Sequence, residues 1–228
     1  MKILILGDGR LGREIANQTG WDLLSRKKDG IDTETFDDWC SKIQGYDVIL
    51  NCIANTNTYS NDYHAIIKTN YGFVTNLVKF CGEMGIKLAH ISTDYVYVNS
   101  VENASETSIP VPDRSWYSLS KLLADEHIVL FCPNYLICRL SHKPYPFPYE
   151  EAWGDVLTNA DYTPIISELV IKLIEGGASG LYNVGTEPKT IYDLALRTKQ
   201  VTKTISPDHI PKNVTMDLTK LKNFLHAF

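Results

Sequence analysis

Short apolar runs rich in β-branched residues alternate along this chain with longer stretches of helical period, the pattern of a parallel sheet whose strands are joined by crossover helices. The runs predict strands at residues 3–6, 21–24, 47–52, 87–92, 135–140 and 181–184. Several are apolar throughout rather than alternating, as expected when helices cover both faces of a strand. Helical patterns fall at 11–19, 35–43, 62–83, 117–130, 165–175 and 191–198, several of them followed by a glycine able to end a helix. Two segments break the alternation: 97–115, polar and carrying Pro110 and Pro112, and 142–163, rich in proline and aromatic residues. Loops of that length in an α/β fold are usually functional.

Composition narrows the classes. With 228 residues and 44% apolar content, the chain can bury one substantial core and carry a small appendage. A net charge of −5 and a pI near 5.7 argue against nucleic acid or an anionic membrane as a partner held by general electrostatics. The five cysteines form no C-x-x-C pair and are odd in number, so reduced thiols in a cytoplasmic protein are expected. The opening apolar run stops after four residues at Gly7, too short for a signal peptide, and no run reaches membrane-spanning length. The Glu150-Glu151 pair resembles a metal ligand set only superficially, and no metal is expected.

The first chemical motif is Gly7-Asp8-Gly9-Arg10-Leu11-Gly12, between the opening strand and the first helix. Its glycines permit a tight turn and close approach of a pyrophosphate, and the helix N-terminus supplies unpaired N–H groups to the phosphates. Such a string alone is weak, but its place inside a βαβ unit is the context that supports dinucleotide binding over a plain glycine turn. The expected architecture is therefore an α/β, Rossmann-type doubly wound parallel sheet. Residues 1–140 would form the NADP-binding domain and 141–228 a small C-terminal substrate lobe, with 181–184 returning to the sheet. At the end of the second strand, where an acid would accept from the ribose 2′-hydroxyl of NAD, the chain runs Ser25-Arg26-Lys27-Lys28. A hydroxyl and three cations there suit the 2′-phosphate of NADP(H), with Ser25 and Arg26 as its candidate ligands. NAD(H) is the alternative, since Asp29 or Asp32 could fold back to the ribose.

Tyr117-Ser118-Leu119-Ser120-Lys121 places a phenol and an ammonium four apart, on one helix face. A free tyrosine titrates near pH ~10, and a neighbouring cation favours its phenolate, which would let it exchange a proton with a substrate oxygen. The spacing by itself is common by chance. A third element gives it weight. The segment His90-Ile91-Ser92-Thr93-Asp94-Tyr95-Val96-Tyr97 ends the fourth strand, at the carboxyl edge where open α/β sheets bind ligands. There Thr93 could hydrogen-bond the same substrate oxygen.

Taken in order, the glycine turn, Ser-Thr-Asp-Tyr-Val-Tyr and Tyr-x-x-x-Lys resemble the extended short-chain dehydrogenase/reductase superfamily, and within it the dTDP-4-dehydrorhamnose reductase branch. The similarity extends through Asn51-Cys52-Ile53-Ala54, Asn70, Asn76-Leu77, Glu106, Pro110, Thr163-Pro164, Gly180–Gly185 and Asp217–Leu221, nearly the whole chain. The resemblance implies a catalytic set of Thr93, Tyr117 and Lys121, with Lys121 also reaching the nicotinamide ribose. It places Gly7, Gly9, Arg10, Leu11, Gly12, Cys52, Ile53 and Ala54 against the cofactor, and Asp94, Tyr95 and His142 near the sugar.

The implied activity is NADPH-dependent reduction of the 4-keto group of a nucleotide-linked 4-keto-6-deoxy sugar, as in dTDP-rhamnose biosynthesis. The relatives also suggest a homodimer through helices 62–83 and 117–130. Sugar dehydratases of the superfamily carry Asp-Glu where this chain has Asp94-Tyr95, which favours reduction over loss of water. Two other readings remain open: a non-catalytic dinucleotide-binding regulatory subunit and a nucleotide-sugar epimerase using NAD. The chain departs from the family pattern in three places. Its glycine turn is one residue shorter, Leu140-Ser141-His142-Lys143 replaces the usual segment after Arg139, and the stretch from 142 to 163 is abbreviated.

Overall fold

The computed structural model describes residues 1–227. Six strands form one sheet: β1 (Ile3–Leu6), β2 (Asp22–Leu24), β3 (Val48–Asn51), β4 (Lys87–Thr93), β5 (Tyr135–Leu140) and β6 (Gly180–Val184). All are parallel, in the spatial order β2-β1-β3-β4-β5-β6. The order reverses between β1 and β3, which puts the topological switch point, and hence the ligand crevice, at the carboxyl ends of these strands.

Continuous apolar strands follow from burial on both faces. Leu4 and Leu6 of β1 join one core cluster while Ile3 and Ile5 join the other. On the first side the sheet is covered by α2 (Phe73–Met84) and α3 (Trp116–Phe131), whose Phe73, Val74, Leu77, Ala124 and Ile128 face it. The second side is covered by α1 (Arg10–Thr19) and α4 (Thr163–Glu175) through Leu11, Ile15, Ile166 and Val170. Each such fully buried aliphatic side chain is worth about 1.5–3 kcal/mol of transfer free energy.

The helix expected at 62–83 is interrupted. Tyr63–Ile67 is followed by a π-helical turn at Lys68–Gly72 before α2 begins. The extra residue turns Asn70 inward, where its amide holds the backbone of Asn55 in both directions and donates to the Ser120 hydroxyl at 3.1 Å. A wide turn of this kind is a recurrent device at functional sites. Here it ties the loop after β3 to α3.

Residues after β5 build a small lobe from strands of two or three residues, among them His142–Lys143, Glu151–Trp153, Leu157–Thr158 and Asp161–Tyr162. The lobe has its own apolar cluster of Phe147, Val156, Tyr162, Ile191, Leu194 and Ile210. Its buried carboxylate, Asp161, is neutralised by Lys189 at 3.4 Å and Arg197 at 3.1 Å. Segment 97–115 is pinned to the end of the chain. Ala104 pairs with Met216, and the Asn183 amide on β6 donates to the carbonyls of Ala104 and Asp217. A last helix, α5 (Thr219–Ala227), closes over β6. No described helix is long and apolar enough to cross a membrane.

Candidate active site

A cavity of about 500 Å³ opens at the carboxyl ends of β1, β3, β4 and β5. Its wall brings together Gly9–Gly12, Cys52, Ala54, Thr93, Asp94, Tyr95, Tyr117, Lys121 and His142, residues drawn from five separate stretches of sequence.

The glycine turn has the geometry a pyrophosphate needs. Gly7 takes φ +99°, a conformation that L side chains rarely adopt, and its backbone N–H donates to the Leu24 carbonyl at 2.9 Å. Gly12 packs its Cα against the Gly7 carbonyl, where a Cβ would overlap that oxygen. Above Gly9 there is open space, and no side chain caps the first turn of α1. The first turn of this ten-residue helix, its N–H groups uncapped by a side chain, lines the cavity, a favourable place for a phosphate. Ile53 does not line the cavity and instead backs the turn, against Gly7.

Ser25 and Arg26 lie apart from the cavity wall. The buried Ser25 hydroxyl caps a single helical turn by accepting from the Lys28 N–H, and its own N–H donates to Asp29 at 2.7 Å. Arg26 is 81% exposed in its side chain and pairs with Asp32 at 2.9 Å. The two acids that could have turned to a ribose are thus engaged by the basic turn itself.

Thr93, Asp94 and Lys121 at the catalytic corner are buried, and their bonds are largely satisfied. Thr93 ends β4, accepts from the Tyr95 N–H at 3.3 Å and contacts Asp94. Tyr117, in the first turn of α3, lies on the same cavity wall as Thr93 and meets the Tyr95 ring edge-on at 6.3 Å. Burial pushes the Tyr117 phenol up to about 12; Thr93 opposes the rise, and the charges of Asp94 and Asp125 add to it. The sequence predicted a phenol lowered by Lys121, whereas burial dominates at Tyr117 and the ammonium points elsewhere. The Lys121 Nζ is turned toward β4, donating to the Ile91 carbonyl at 2.6 Å and meeting His90 Nε2 at 2.9 Å. Burial pulls Lys121 down to about 8, against the pull of Asp125 and Cys52. Burial likewise raises the Cys52 thiol to about 12, so it is an inert wall residue at neutral pH.

Asp94 is the other unusual titrating group. Burial raises it to about 7, with the Lys143 charge and the Thr93 hydrogen bond pulling it back. Lys143 and His142 enter from the strand after β5, and burial depresses both, with Arg10 adding to the effect. His142 shares a 3.1 Å hydrogen bond with the Thr163 hydroxyl, which itself donates to the Lys143 carbonyl. Lys143 and His90 were not among the sequence-predicted site residues. The signal for Lys143 was its place in the segment that departs from the family pattern. For His90 it was the register that sets it opposite Asn51 across β3 and β4.

Beneath the corner, Asp125 of α3 accepts from Ser92 and from Arg139, both at 2.9 Å, and Arg139 donates to the Tyr97 hydroxyl at 2.6 Å. This buried network fixes α3 against the ends of β4 and β5. Among the described residues, no group of three or more His, Cys, Asp and Glu could hold a metal ion.

The sequence profile described as the RmlD substrate binding domain matches residues 1–142, which is more than half of the chain. The chain belongs to this family. Its fold is similar to a solved dTDP-4-dehydrorhamnose reductase from Clostridium acetobutylicum, at 21% identity and TM-score 0.79, covering 100% of this chain and 99% of that one. A dTDP-4-dehydrorhamnose reductase from Bacillus anthracis, solved in complex with NADP, has 21% identity and TM-score 0.81, covering 100% and 93%. A UDP-glucuronic acid 4-epimerase from Bacillus cereus in complex with NAD has 18% identity and TM-score 0.78, covering 99% and 92%. No curated protein matches the chain by sequence. The RmlD family and the six-stranded parallel sheet agree with the resemblance read from the glycine turn and the strand-end motif.

Proposed function

We propose that this RmlD-family protein is an NADPH-dependent reductase acting on the 4-keto group of a nucleotide-linked 4-keto-6-deoxy sugar. The observation that carries the reading is the single cavity wall shared by the Gly9–Gly12 turn and by Thr93, Tyr117 and Lys121. Bound NADPH supplies a hydride to the carbonyl carbon. The protein supplies the rest.

Tyr117, a phenol throughout the neutral range, donates its proton to the carbonyl oxygen as that oxygen becomes an alkoxide. Thr93 fixes the oxygen by hydrogen bonding to it and to the phenol. Lys121, as an ammonium, offsets the phenolate left behind. Tyr95 occupies the position at which a dehydratase would need an ionisable acid, and burial raises its pKa further above neutrality. Elimination of water therefore lacks its second proton-transfer group, and reduction remains. Arg10 and the amides of the first turn of α1 would hold the pyrophosphate. Arg26 would meet the 2′-phosphate, at the expense of the Arg26–Asp32 pair, while Ser25, expected as a second ligand, is buried and engaged as a helix cap.

The experiment is a panel of nucleotide-linked keto sugars with NADPH and, separately, NADH, followed by loss of reduced-nicotinamide absorbance. Turnover with a 4-keto-6-deoxy sugar and preference for NADPH are expected. Tight dinucleotide binding with no turnover on any sugar would overturn the proposal in favour of a regulatory subunit.

A further inference from the structure

Lysines that the fold covers hold on to neighbouring groups. Lys121 donates to the Ile91 carbonyl, Lys87 to the Ala178 carbonyl, and Lys189 to the Ala160 carbonyl and the Thr186 hydroxyl beside Asp161. Among the described residues Lys143 is the exception. It is half-buried, yet its ammonium makes no hydrogen bond, ion pair or ring contact with the protein. Burial without a partner disfavours the charged form and lowers its pKa.

The position of this cation is fixed by its backbone. Lys143 pairs with Tyr162 in a short parallel bridge, and its carbonyl accepts from the Thr163 hydroxyl at 2.9 Å. The residue lines the cavity wall together with Arg10, Asp94 and His142. Its charge is felt by Asp94 and His142, and Arg10 acts on it in turn. The charged end therefore lies on the part of the cavity that these residues share.

Asp94 does not neutralise it. No ion pair joins the two, the Asp94 carboxyl is engaged by Thr93 at 3.3 Å, and burial holds its proton up to about pH 7. Arg10, whose side chain also forms no ion pair or hydrogen bond, adds a second cation on the same wall. A chain of net charge −5 thus gathers uncompensated positive charge at this one place. An anion supplies what the protein does not, and an ammonium is well suited to a phosphate oxygen, which it meets as a point charge.

We propose that Lys143 binds a phosphate of a nucleoside diphosphate group in the active-site cavity. Two molecules offer that chemistry: a nucleotide-linked sugar and the dinucleotide. The dinucleotide already has the first turn of α1 and Arg10 for its pyrophosphate, whereas Lys143 stands on a strand of the small lobe, which favours the sugar nucleotide. That choice rests on the reductase reading; the phosphate chemistry does not. Lys143 is then a specificity residue, placed where the chain departs from the family pattern after Arg139.

The test is binding, without turnover, of dTDP, UDP and NADPH to the full chain and to Lys143→Met, with thermal unfolding of both. The methionine keeps the length of the side chain and removes a charge that has no partner in the protein, so Tm should equal or exceed that of wild type. The Kd for dTDP or UDP should rise by about tenfold or more, the scale of one lost charge-assisted hydrogen bond, with NADPH within about twofold. A comparable loss at NADPH would support the phosphate site and assign it to the dinucleotide. Unchanged affinity for all three, no binding of any by wild type, or an affinity loss accompanied by a lower Tm would overturn the proposal. Unchanged affinity in the variant would leave sugar reduction standing, since the keto-sugar panel tests that separately.

Discussion

The sheet presents two ends to a dinucleotide, and they are built differently. At the ends of β3 and β4 four polar side chains are buried and tied to backbone: Lys121 to Ile91, Asn51 to Ile53, Asn70 to Asn55, Thr93 to Tyr95. At the end of β2 the basic turn is exposed, and its cation is spent on the surface pair Arg26–Asp32. Exposed pairs of that kind contribute about 0–1 kcal/mol and yield readily to a better partner. A preorganised, buried end suits the chemical step, where a displacement of ~1 Å costs rate. A wet, adaptable end suits the choice between two closely similar cofactors.

If that contrast holds, substitutions at the two ends should fail in different ways. The largest effect is expected from Gly12→Val, because even a Cβ overlaps the Gly7 carbonyl; dinucleotide binding measured by fluorescence should be lost outright. At the buried corner, Thr93→Ala should lower kcat by about 10²-fold, the scale of one lost hydrogen bond in a transition state, with Kd for NADPH nearly unchanged. A comparable loss of NADPH affinity would show that Thr93 holds the cofactor rather than the substrate oxygen.

Smaller in size is the effect of pH. Asp94 releases its proton at about 7, and its carboxylate raises the Tyr117 pKa, making the phenolate costlier to form. Turnover should therefore fall as pH rises through about 7, and Asp94→Asn should flatten that limb. At the wet end, Arg26→Ala should reduce the preference for NADPH over NADH by about tenfold, or about 1.4 kcal/mol, while kcat stays near wild type. A fall in kcat instead would erase the distinction between the two ends.

Much of the frame was legible because burial on both faces writes itself into sequence as uninterrupted apolar runs. All six sheet strands were read within one or two residues of their ends, β1 and β5 without error. Elements whose cause lies in tertiary contact were not read. The π-helical turn at Lys68–Gly72 keeps the helical period of its neighbours and reveals itself only through Asn70, which it turns toward Asn55. The lobe strands are too short for any period, and residues such as Asp161 acquire their meaning from Lys189 and Arg197, distant in the chain. In the site, Thr93, Tyr117 and Lys121 were chosen from motif order, and the structure gathers them on one cavity wall. The direction of the Lys121 side chain was not legible, because its partners, His90 and the Ile91 carbonyl, lie on a strand some thirty residues earlier in the chain.

The central claim, a reductase whose proton comes from Tyr117, is most directly tested by Tyr117→Phe. With a nucleotide-linked 4-keto-6-deoxy sugar, turnover should fall by about 10²–10⁴-fold, while the Kd for NADPH stays within about twofold of wild type. Turnover equal to wild type in the phenylalanine variant would contradict the account.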